Sequence, residues 1–430
     1  MSSPSGTPTL GRELTEATDS SASTPLNYAI VLVSSFFTFL AMAIICDEYL
    51  CPAIDTICEV QQIPDDIAGA TLLAFGSSAP EIFMNLAATI KGQVTLSLPA
   101  IFGSAIIAFG FIPPICAFAV PKTMALATWP VLRDSGIYCL ALAMTWKYLG
   151  DGYIDKKEST NLTLLYFVYL AVLLVPHAIR ACRGTASRRS GADDYDDLEE
   201  SKALTGEAGA EAGAEAAAAE EEDEAPGVLG KFMEVCSIPI TFIFSYTVPL
   251  QPEGAEHPSL CKAFVSVGIS LVWISALSSL ALEVATFAGK VFCLSPTTAG
   301  ATLLALGAQI PDTFGSLSMA KSGMPGGAVA NAVGSQVINA SLAVGAPFLM
   351  YNLIFGKPIY AGEETGGMQT LLSLLLIVIA MFWAVTFPVL SWASGSANIA
   401  SCRMDKTGGG LLFAVSAICY AYFVYVQEHP

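Results

Sequence analysis

Two carboxylates lie in nearly identical apolar stretches of the chain. Residues 69–83 read GATLLAFGSSAPEIF and residues 300–314 read GATLLALGAQIPDTF, so nine of the fifteen positions are identical at a constant offset of 231. The offset aligns Glu81 with Asp312, and a proline directly precedes each carboxylate. An ionisable residue in an apolar segment is costly to bury and is a functional hypothesis by default. Two copies at matched positions favour a functional role over a kinked helix whose carboxylate is satisfied by a neighbour.

The proline in each stretch frees a backbone carbonyl close to the carboxylate. Pro80 and Pro311 have no N–H, so the carbonyls four residues earlier, on Gly76 and Gly307, lose their helical partners. In a bilayer such carbonyls must be buried in protein or line a polar cavity. Carbonyl, hydroxyl and carboxylate oxygens that converge on one point form a site for a hard cation such as Ca²⁺.

The composition indicates a membrane protein. The chain has 430 residues, of which 54% are hydrophobic and 13% are charged, and its mean hydropathy is +0.60. Soluble domains carry about 25% charged residues. The net charge of −18 comes mostly from residues 193–224, which hold fourteen Asp or Glu residues and one Lys. Three scattered histidines do not form the usual pattern of a zinc site.

Ten apolar segments are long enough to cross a bilayer, five before the acidic stretch and five after it. They lie near residues 27–46, 66–90, 97–120, 127–149, 161–179, 262–288, 296–320, 328–354, 368–393 and 409–427. An odd number of spans per half gives the halves opposite orientations, and inverted repeats with broken helices are typical of secondary transporters. We therefore predict an all-α polytopic membrane protein with ten transmembrane helices, arranged as two inverted five-helix repeats with broken helices at the centre.

The same segments divide the chain into four parts. They are a disordered tail (1–26), a first repeat (27–179, with its α-1 motif at 66–120), a linker (180–261) and a second repeat (262–430, with its α-2 motif at 296–354). Residues 228–251 are apolar but contain two prolines, which favours an interfacial segment over a span. Four arginines follow the fifth apolar segment and predict a cytoplasmic linker. We expect a multi-pass protein of the plasma membrane or of an internal membrane, with no nucleic-acid partner.

The stretches resemble the cation/calcium exchanger superfamily, and specifically its potassium-dependent sodium/calcium exchanger branch. Residues 65–83 and 99–110 resemble the first repeat's helix and return helix, and residues 295–348 resemble the second repeat. The resemblance implies antiport of Ca²⁺ against Na⁺ by alternating access. It implies no enzymatic activity and no cofactor other than the transported Ca²⁺ and Na⁺.

The resemblance also implies which residues bind the ions. Glu81 and Asp312 match the two central carboxylates, which bind calcium and sodium alternately. The remaining matched positions are Ser77, Ser78, the carbonyls of Ala74 and Ala305, the return-helix serines Ser104 and Ser335, and the variant positions Gln309, Gln336 and Asn339.

Several of these positions depart from the family pattern. The potassium-dependent branch has Asp where Asn339 stands, and that carboxylate is associated with its potassium requirement. Gln336 is one methylene longer than the family's Asn, and Ala108 replaces another Asn. Because Asn339 supplies no charge, we predict calcium transport without a potassium requirement.

Three other functions remain to be weighed. A proton-coupled or other-cation exchanger could use the same fold, because the hydroxyl-bearing residues usual in the family are missing at Ala308 and Gln309. A cation channel could use rings of carboxylates, but counterflow of two ions distinguishes an exchanger from a pore. An intramembrane aspartyl protease would need its Y-D and G-x-G-D motifs, and the relevant spans contain neither.

Overall fold

The computed structural model describes residues 24–61, 74–121, 123–126, 128–187, 228–249, 259–361, 365–387 and 402–429. Most of the predicted disordered tail and of the acidic linker lies outside these residues. The end of that tail is helical, because Thr24 caps a helix that has a proline at its first position.

The described chain is almost entirely helical. The first half contains α1 (Pro25–Ile44), α2 (Cys51–Val60), α3 (Ala74–Ser77), α4 (Ala79–Lys91), α5 (Val94–Gly110), α6 (Ile112–Ala119), α7 (Thr128–Tyr148) and α8 (Lys156–Ser187). The remainder contains α9 (Val228–Thr247), α10 (Leu260–Val291), α11 (Pro296–Ala299), α12 (Ala305–Ala308), α13 (Ile310–Lys321), α14 (Pro325–Ile338), α15 (Val344–Phe355), α16 (Thr365–Thr386) and α17 (Lys406–Glu428). Three π-helical turns, Ile45–Leu50, Gly300–Leu304 and Asn339–Ala343, join α1 to α2, α11 to α12 and α14 to α15.

Seven helices among the described residues are long and apolar enough to cross a membrane. They are Pro25–Val60, Val94–Ala119, Lys156–Val175, Leu260–Val291, Pro325–Phe355, Gly366–Thr386 and Lys406–Glu428. The other three predicted spans differ for physical reasons. The segments at 66–90 and 296–320 are interrupted by helix breaks, and the start of the former lies outside the described residues. In α7, Arg133 and Asp134 lower the mean hydropathy.

The first span is longer than the sequence indicates. We predicted an end near residue 46, directly before the acidic residues Asp47 and Glu48. The helix instead continues through the π turn to Val60, and it buries Ile54 and Ile57 on the way. The acidic pair therefore lies within a helix and not at its end.

Two short antiparallel ribbons tie the halves of the molecule together. Strand β1 (Met124–Leu126) follows α6 and pairs with β4 (Cys402–Met404), which precedes α17. Strand β2 (Tyr153–Ile154) lies after α7 and the 3₁₀ turn Leu149–Asp151, and it pairs with β3 (Ile359–Tyr360), which follows α15. Each ribbon thus joins a loop of the first half to a loop of the second.

Helix α5 occupies the centre of the molecule and is buried along nearly its whole length. It crosses the π turn Gly300–Leu304 at backbone contact. A Cβ atom at Gly103 would lie 2.5 Å from the carbonyl oxygen of Ala301, and one at Gly300 would overlap the carbonyl of Leu96. Small residues at such crossings let transmembrane backbones approach closely. The return helix of the first half therefore packs directly on the broken helix of the second.

The apolar segment at 228–251 forms helix α9, which continues through Pro239. It lies beside the first span, where the Phe244 ring packs edge-on against Tyr49. The Tyr49 hydroxyl also donates to the carbonyl of Thr241 at 3.3 Å. Its proposed position at the membrane interface stays a prediction.

Candidate cation site

The two duplicated stretches break at matched residues and in the same conformation. Ser78 has φ −90° and ψ 1°, and Gln309, 231 positions later, has φ −91° and ψ 0°. Both values lie in the sparsely populated bridge region, where active-site residues are often found. A proline in the first turn of each following helix explains why the break falls there. The duplication seen in the sequence is therefore repeated in the backbone.

The matching continues beyond the breaks. Gly92 ends α4 with φ +69°, and its counterpart Gly323 has φ +92° in the turn before α14. Glycine adopts such angles without the strain that a side chain would add. Each half therefore has the same hairpin, in which a broken helix is followed by a tight turn and a return helix.

Glu81 and Asp312 lie in the first turns of α4 and α13. The N-terminal end of a helix carries partial positive charge, which favours a carboxylate there. Glu81 is 5% exposed, Asp312 is half-buried, and the two carboxylates interact electrostatically. Within the part of the chain that the structure describes, the only ion pairs involve other residues. A buried charge without a partner of opposite sign is strongly unfavourable, so this pair requires a cation or protons.

The return-helix serines occupy equivalent positions. The Ser104 hydroxyl lies 2.7 Å from the carbonyl oxygen of Ile101, and the Ser335 hydroxyl donates to the carbonyl of Ala332 at 3.1 Å. Both contacts join residues three apart, and they too are related by 231 positions. Ser335 also lies against the carboxylate of Asp312.

Gln336 connects the two return helices. Its Oε1 atom lies 3.3 Å from the Ser104 hydroxyl, and its Nε2 atom donates to the Ser335 hydroxyl at 3.3 Å. Because the side chain is fully buried, these two contacts hold it between the halves.

Several buried polar atoms near the breaks have no hydrogen-bond partner in the described residues. They are Ser78 Oγ, Glu81 Oε2, Asn339 Oδ1 and both amide atoms of Gln309. The Gln309 amide lies next to Asp312 but outside hydrogen-bonding geometry. Buried polar groups are nearly always paired, and a cluster of unpaired ones needs an explanation such as an ion. Four of the five atoms are oxygens, the donor type that Na⁺ and Ca²⁺ prefer.

Three further predicted ligands lie on α3 and α12. Ser77 is exposed at the end of α3, and Ala74 begins that helix. Ala305 is fully buried, and its carbonyl accepts a hydrogen bond from the Gln309 N–H at 3.2 Å. One lone pair of that carbonyl is therefore already used, and one remains for an ion.

Sequence reasoning missed Asn85, one helical turn after Glu81. Its Nδ2 atom donates to the carbonyl of Ala343 at 2.8 Å, and its Oδ1 atom accepts from the Ser97 hydroxyl at 2.8 Å. The Ala343 carbonyl belongs to the π turn Asn339–Ala343, so Asn85 ties the helix of one carboxylate to the second half. A polar residue four positions from Glu81 in an apolar segment was the available signal.

Sequence reasoning also missed a buried ion pair on α7. Arg133 Nε and Nη2 lie 2.7 and 3.1 Å from the two carboxylate oxygens of Asp134, and both side chains are under 8% exposed. The Arg133 guanidinium lies over the Tyr169 ring, 6.0 Å from its centroid. A Cβ atom at Gly334 would lie 3.7 Å from both Asp134 Oδ2 and Tyr169 Oη. The pair therefore supports α14 beside Ser335.

Comparisons with known proteins agree with this architecture. A family profile described as "Sodium/calcium exchanger protein" matches residues 31–175 and 262–426. The chain is 28% identical over 398 residues to "Sodium/potassium/calcium exchanger 5" of Homo sapiens, covering 84% of this chain and 77% of that protein. It is 24% identical over 523 residues to "Sodium/potassium/calcium exchanger 2" of Gallus gallus, covering 93% and 77%.

A solved structure supports the fold alone. The crystal structure titled "H+/Ca2+ Exchanger CAX" matches with a TM-score of 0.56 at 11% identity, over 97% of this chain and 93% of that chain. The family profile covers most of the present chain on both sides of the acidic linker. The chain therefore belongs to the sodium/calcium exchanger protein family, and it is an ion-transporting membrane protein rather than an enzyme.

Proposed function

We propose that this chain is a secondary antiporter that exchanges Ca²⁺ for Na⁺ by alternating access. The observation that carries the proposal is the pair Glu81 and Asp312, which lie at matched helix breaks without a basic partner among the described residues. The unpaired oxygens around them supply the ligands that a hard cation requires. The names of the related exchangers include sodium, potassium and calcium, and they support exchange of calcium for sodium.

The proposed architecture is ten transmembrane helices in two inverted repeats. If the halves run in opposite directions, the loop after the third span of one half lies on the same membrane face as the loop after the fourth span of the other. Both ribbons join loops of this kind. Strand β1 follows the third span of the first half and pairs with β4, which follows the fourth span of the second half. Strand β2 follows the fourth span of the first half and pairs with β3, which follows the third span of the second half. Halves in the same orientation would instead bring equivalent loops together. The pairing thus supports inversion, and the proposed linker face is cytoplasmic.

Charge balance explains why the exchange would be coupled. Two ionised carboxylates carry −2, which one Ca²⁺ or two Na⁺ can neutralise. Net charge is costly to bury, so the loaded carrier changes conformation more readily than the ion-free one. Ca²⁺ and Na⁺ tolerate irregular oxygen cages, whereas Mg²⁺ requires near-octahedral geometry and gives up water reluctantly. The mixed hydroxyl, amide and carboxylate set therefore suits calcium better than magnesium.

Two residues support transport without a potassium requirement. K⁺ is large and weakly hydrated, and its binding beside Ca²⁺ or Na⁺ needs an extra anionic oxygen. Asn339 is buried and offers a neutral oxygen. Gln336 fills the space between the two return helices and uses its amide on the serines. The proposed site thus has less charge and less room than a potassium site needs.

Proton-coupled calcium exchange is the second candidate. The observation that favours it is the lack of a hydroxyl at Ala308 and Gln309, which leaves only the Gln309 amide oxygen for Na⁺ at these two positions. A protonated carboxylate can neutralise the site in place of a sodium ion. The driving ion therefore has to be measured directly.

Uptake of ⁴⁵Ca²⁺ into proteoliposomes, under Na⁺, K⁺ and H⁺ gradients imposed one at a time, tests the proposal. We expect an outward Na⁺ gradient to drive uptake, with no change when K⁺ is replaced by choline on both sides. Uptake driven only by a proton gradient would establish the second candidate. Calcium flux that needs no counter-ion would show a channel and refute antiport.

A further inference from the structure

The first span passes both helix breaks. A Cβ atom at Gly307, beside the second break, would overlap the ring of Phe39. A Cβ atom at Gly76, beside the first break, would lie 3.4 Å from Cys51 Sγ. Twelve residues separate these two contacts, which is about 18 Å along a helix. The π turn Ile45–Leu50 lies between these two contacts along the span, at the level of the region between the two breaks.

The π turn contains two acidic residues, Asp47 and Glu48. Asp47 and Glu48 are exposed, whereas Cys46, Tyr49 and Leu50 are buried. The Asp47 carboxylate interacts electrostatically with Asp312, and the Cys46 thiol interacts with both Glu81 and Asp312. The Cys46 and Asp47 side chains thus lie close enough to the carboxylate pair to feel its charge, and Asp47 is the exposed one of the two. Asp312 is half-buried and Glu81 is buried, so Asp312 is the more exposed of the two central carboxylates.

We propose that Asp47 is a third cation-attracting carboxylate, which holds an incoming ion outside the Glu81–Asp312 pair before it enters. Glu81 is 5% exposed and its buried Oε2 atom has no hydrogen-bond partner, so the inner pair still has an oxygen to offer an ion that arrives. Single π turns inside α-helices are frequently found at functional sites.

Asp47 attracts an ion at a point outside the Glu81–Asp312 pair and is not a ligand of the ion that this pair binds. Among the described residues, no group of three His, Cys, Asp or Glu side chains is close enough to hold one metal ion. The effect of Asp47 on an ion is therefore electrostatic and acts over several ångströms. Such a charge raises the local cation concentration and the association rate, and salt screens it.

This inference rests on the proposed function. The effect of the Asp47 charge on ion affinity depends on the charge of the ion. A unit charge about 8 Å away in water changes the affinity of a divalent ion about fivefold and that of a monovalent ion about twofold. Asp47→Asn should therefore raise the half-saturating Ca²⁺ concentration about fivefold and that of Na⁺ about twofold. Both shifts should appear on one membrane face only, with little change in maximal rate.

The test measures initial flux against ion concentration in oriented proteoliposomes, from each face, at low and high ionic strength. Glu59→Gln is the matched control, because it removes one exposed carboxylate at the far end of the same helix. Asp47→Glu keeps the charge and should behave like the unaltered protein. If Asp47→Asn does not insert, Asp47→Gln replaces it and is compared with Asp47→Glu.

Unchanged half-saturation on both faces at low ionic strength would overturn the inference. So would a lower maximal rate without a shift in half-saturation, or a shift that high ionic strength leaves intact. The unaltered protein is measured in the same vesicles with Ca²⁺, Na⁺ and H⁺ as the transported ion. If the unaltered protein does not exchange Ca²⁺ for Na⁺, the proposed function fails in that measurement. The Asp47 variants are then compared with whichever cation the unaltered protein carries.

Discussion

Glu81→Gln removes one central negative charge and changes little else. Glutamine has nearly the shape of glutamate, and Glu81 is only 5% exposed, so the surrounding packing is kept. Glu81 lies beside Asp312 without a basic partner among the described residues. The substitution therefore has two effects of opposite sign, since it weakens cation binding and relieves repulsion in the ion-free protein.

Both effects can be given a magnitude. Removing one partner of a buried, oppositely charged pair costs about 3–5 kcal/mol, so Ca²⁺ affinity should fall about 150- to 5,000-fold. Two like charges about 7 Å apart, at an effective dielectric constant of about 20, repel by about 2 kcal/mol. Without a bound ion, the variant should therefore be more stable than the unaltered protein by up to about this amount.

Thermal unfolding of the detergent-solubilised protein, with EGTA and with Ca²⁺, measures both effects. A ligand that binds only the folded state raises the unfolding temperature, so the loss of Ca²⁺-induced stabilisation reports the lost affinity. Glu283→Gln, which removes an exposed carboxylate paired with Lys91, is the control and should keep normal calcium stabilisation and flux. Calcium stabilisation and flux that survive Glu81→Gln would refute the assignment of this carboxylate. Lower stability in EGTA would show that Glu81 serves packing instead.

Three further outcomes are expected. Asn339→Asp adds a buried carboxylate and should make calcium flux sensitive to replacement of K⁺ by choline; unchanged flux would locate potassium selectivity elsewhere. Asp134→Asn leaves Arg133 charged and buried and should cost about 3–5 kcal/mol of stability in denaturant titration. The double variant with Arg133→Gln should recover part of that loss, and no recovery would mean that the charge pair is not the cause. Gly103→Ala should lower the unfolding temperature, since a Cβ atom there meets backbone at 2.5 Å, whereas Gly136→Ala, with nothing within 4 Å, should not.

The symmetry of the two halves is closer in the backbone than in the side chains. The breaks at Ser78 and Gln309 share dihedral angles, and the hairpin glycines share positive φ. Yet Ala108 stands opposite Asn339, and a hydroxyl at Ser78 stands opposite an amide at Gln309. The conformation is set by proline and glycine, which constrain the chain locally. The side chains at matched positions are free to differ, so the proposed ion-binding positions in the two halves need not be equivalent.

Some features of this protein were determined by the sequence alone. Apolar segment length indicates membrane helices because the bilayer core has a fixed thickness. The prolines place the helix breaks because a missing N–H acts within four residues. The family resemblance is confirmed by the profile that matches residues 31–175 and 262–426. The ten-span inverted architecture and the ion-binding roles stay proposals.

Other features were decided only by tertiary structure. The first span continues past Asp47 because buried residues in α2 pack against neighbouring helices, which no window of local hydropathy records. Gln336 bridges Ser104 and Ser335, although its sequence position indicates only a crowded pocket. Whether a buried polar group faces an ion, a partner or another helix depends on residues hundreds of positions away. Those distant neighbours exist only once the two halves are packed together.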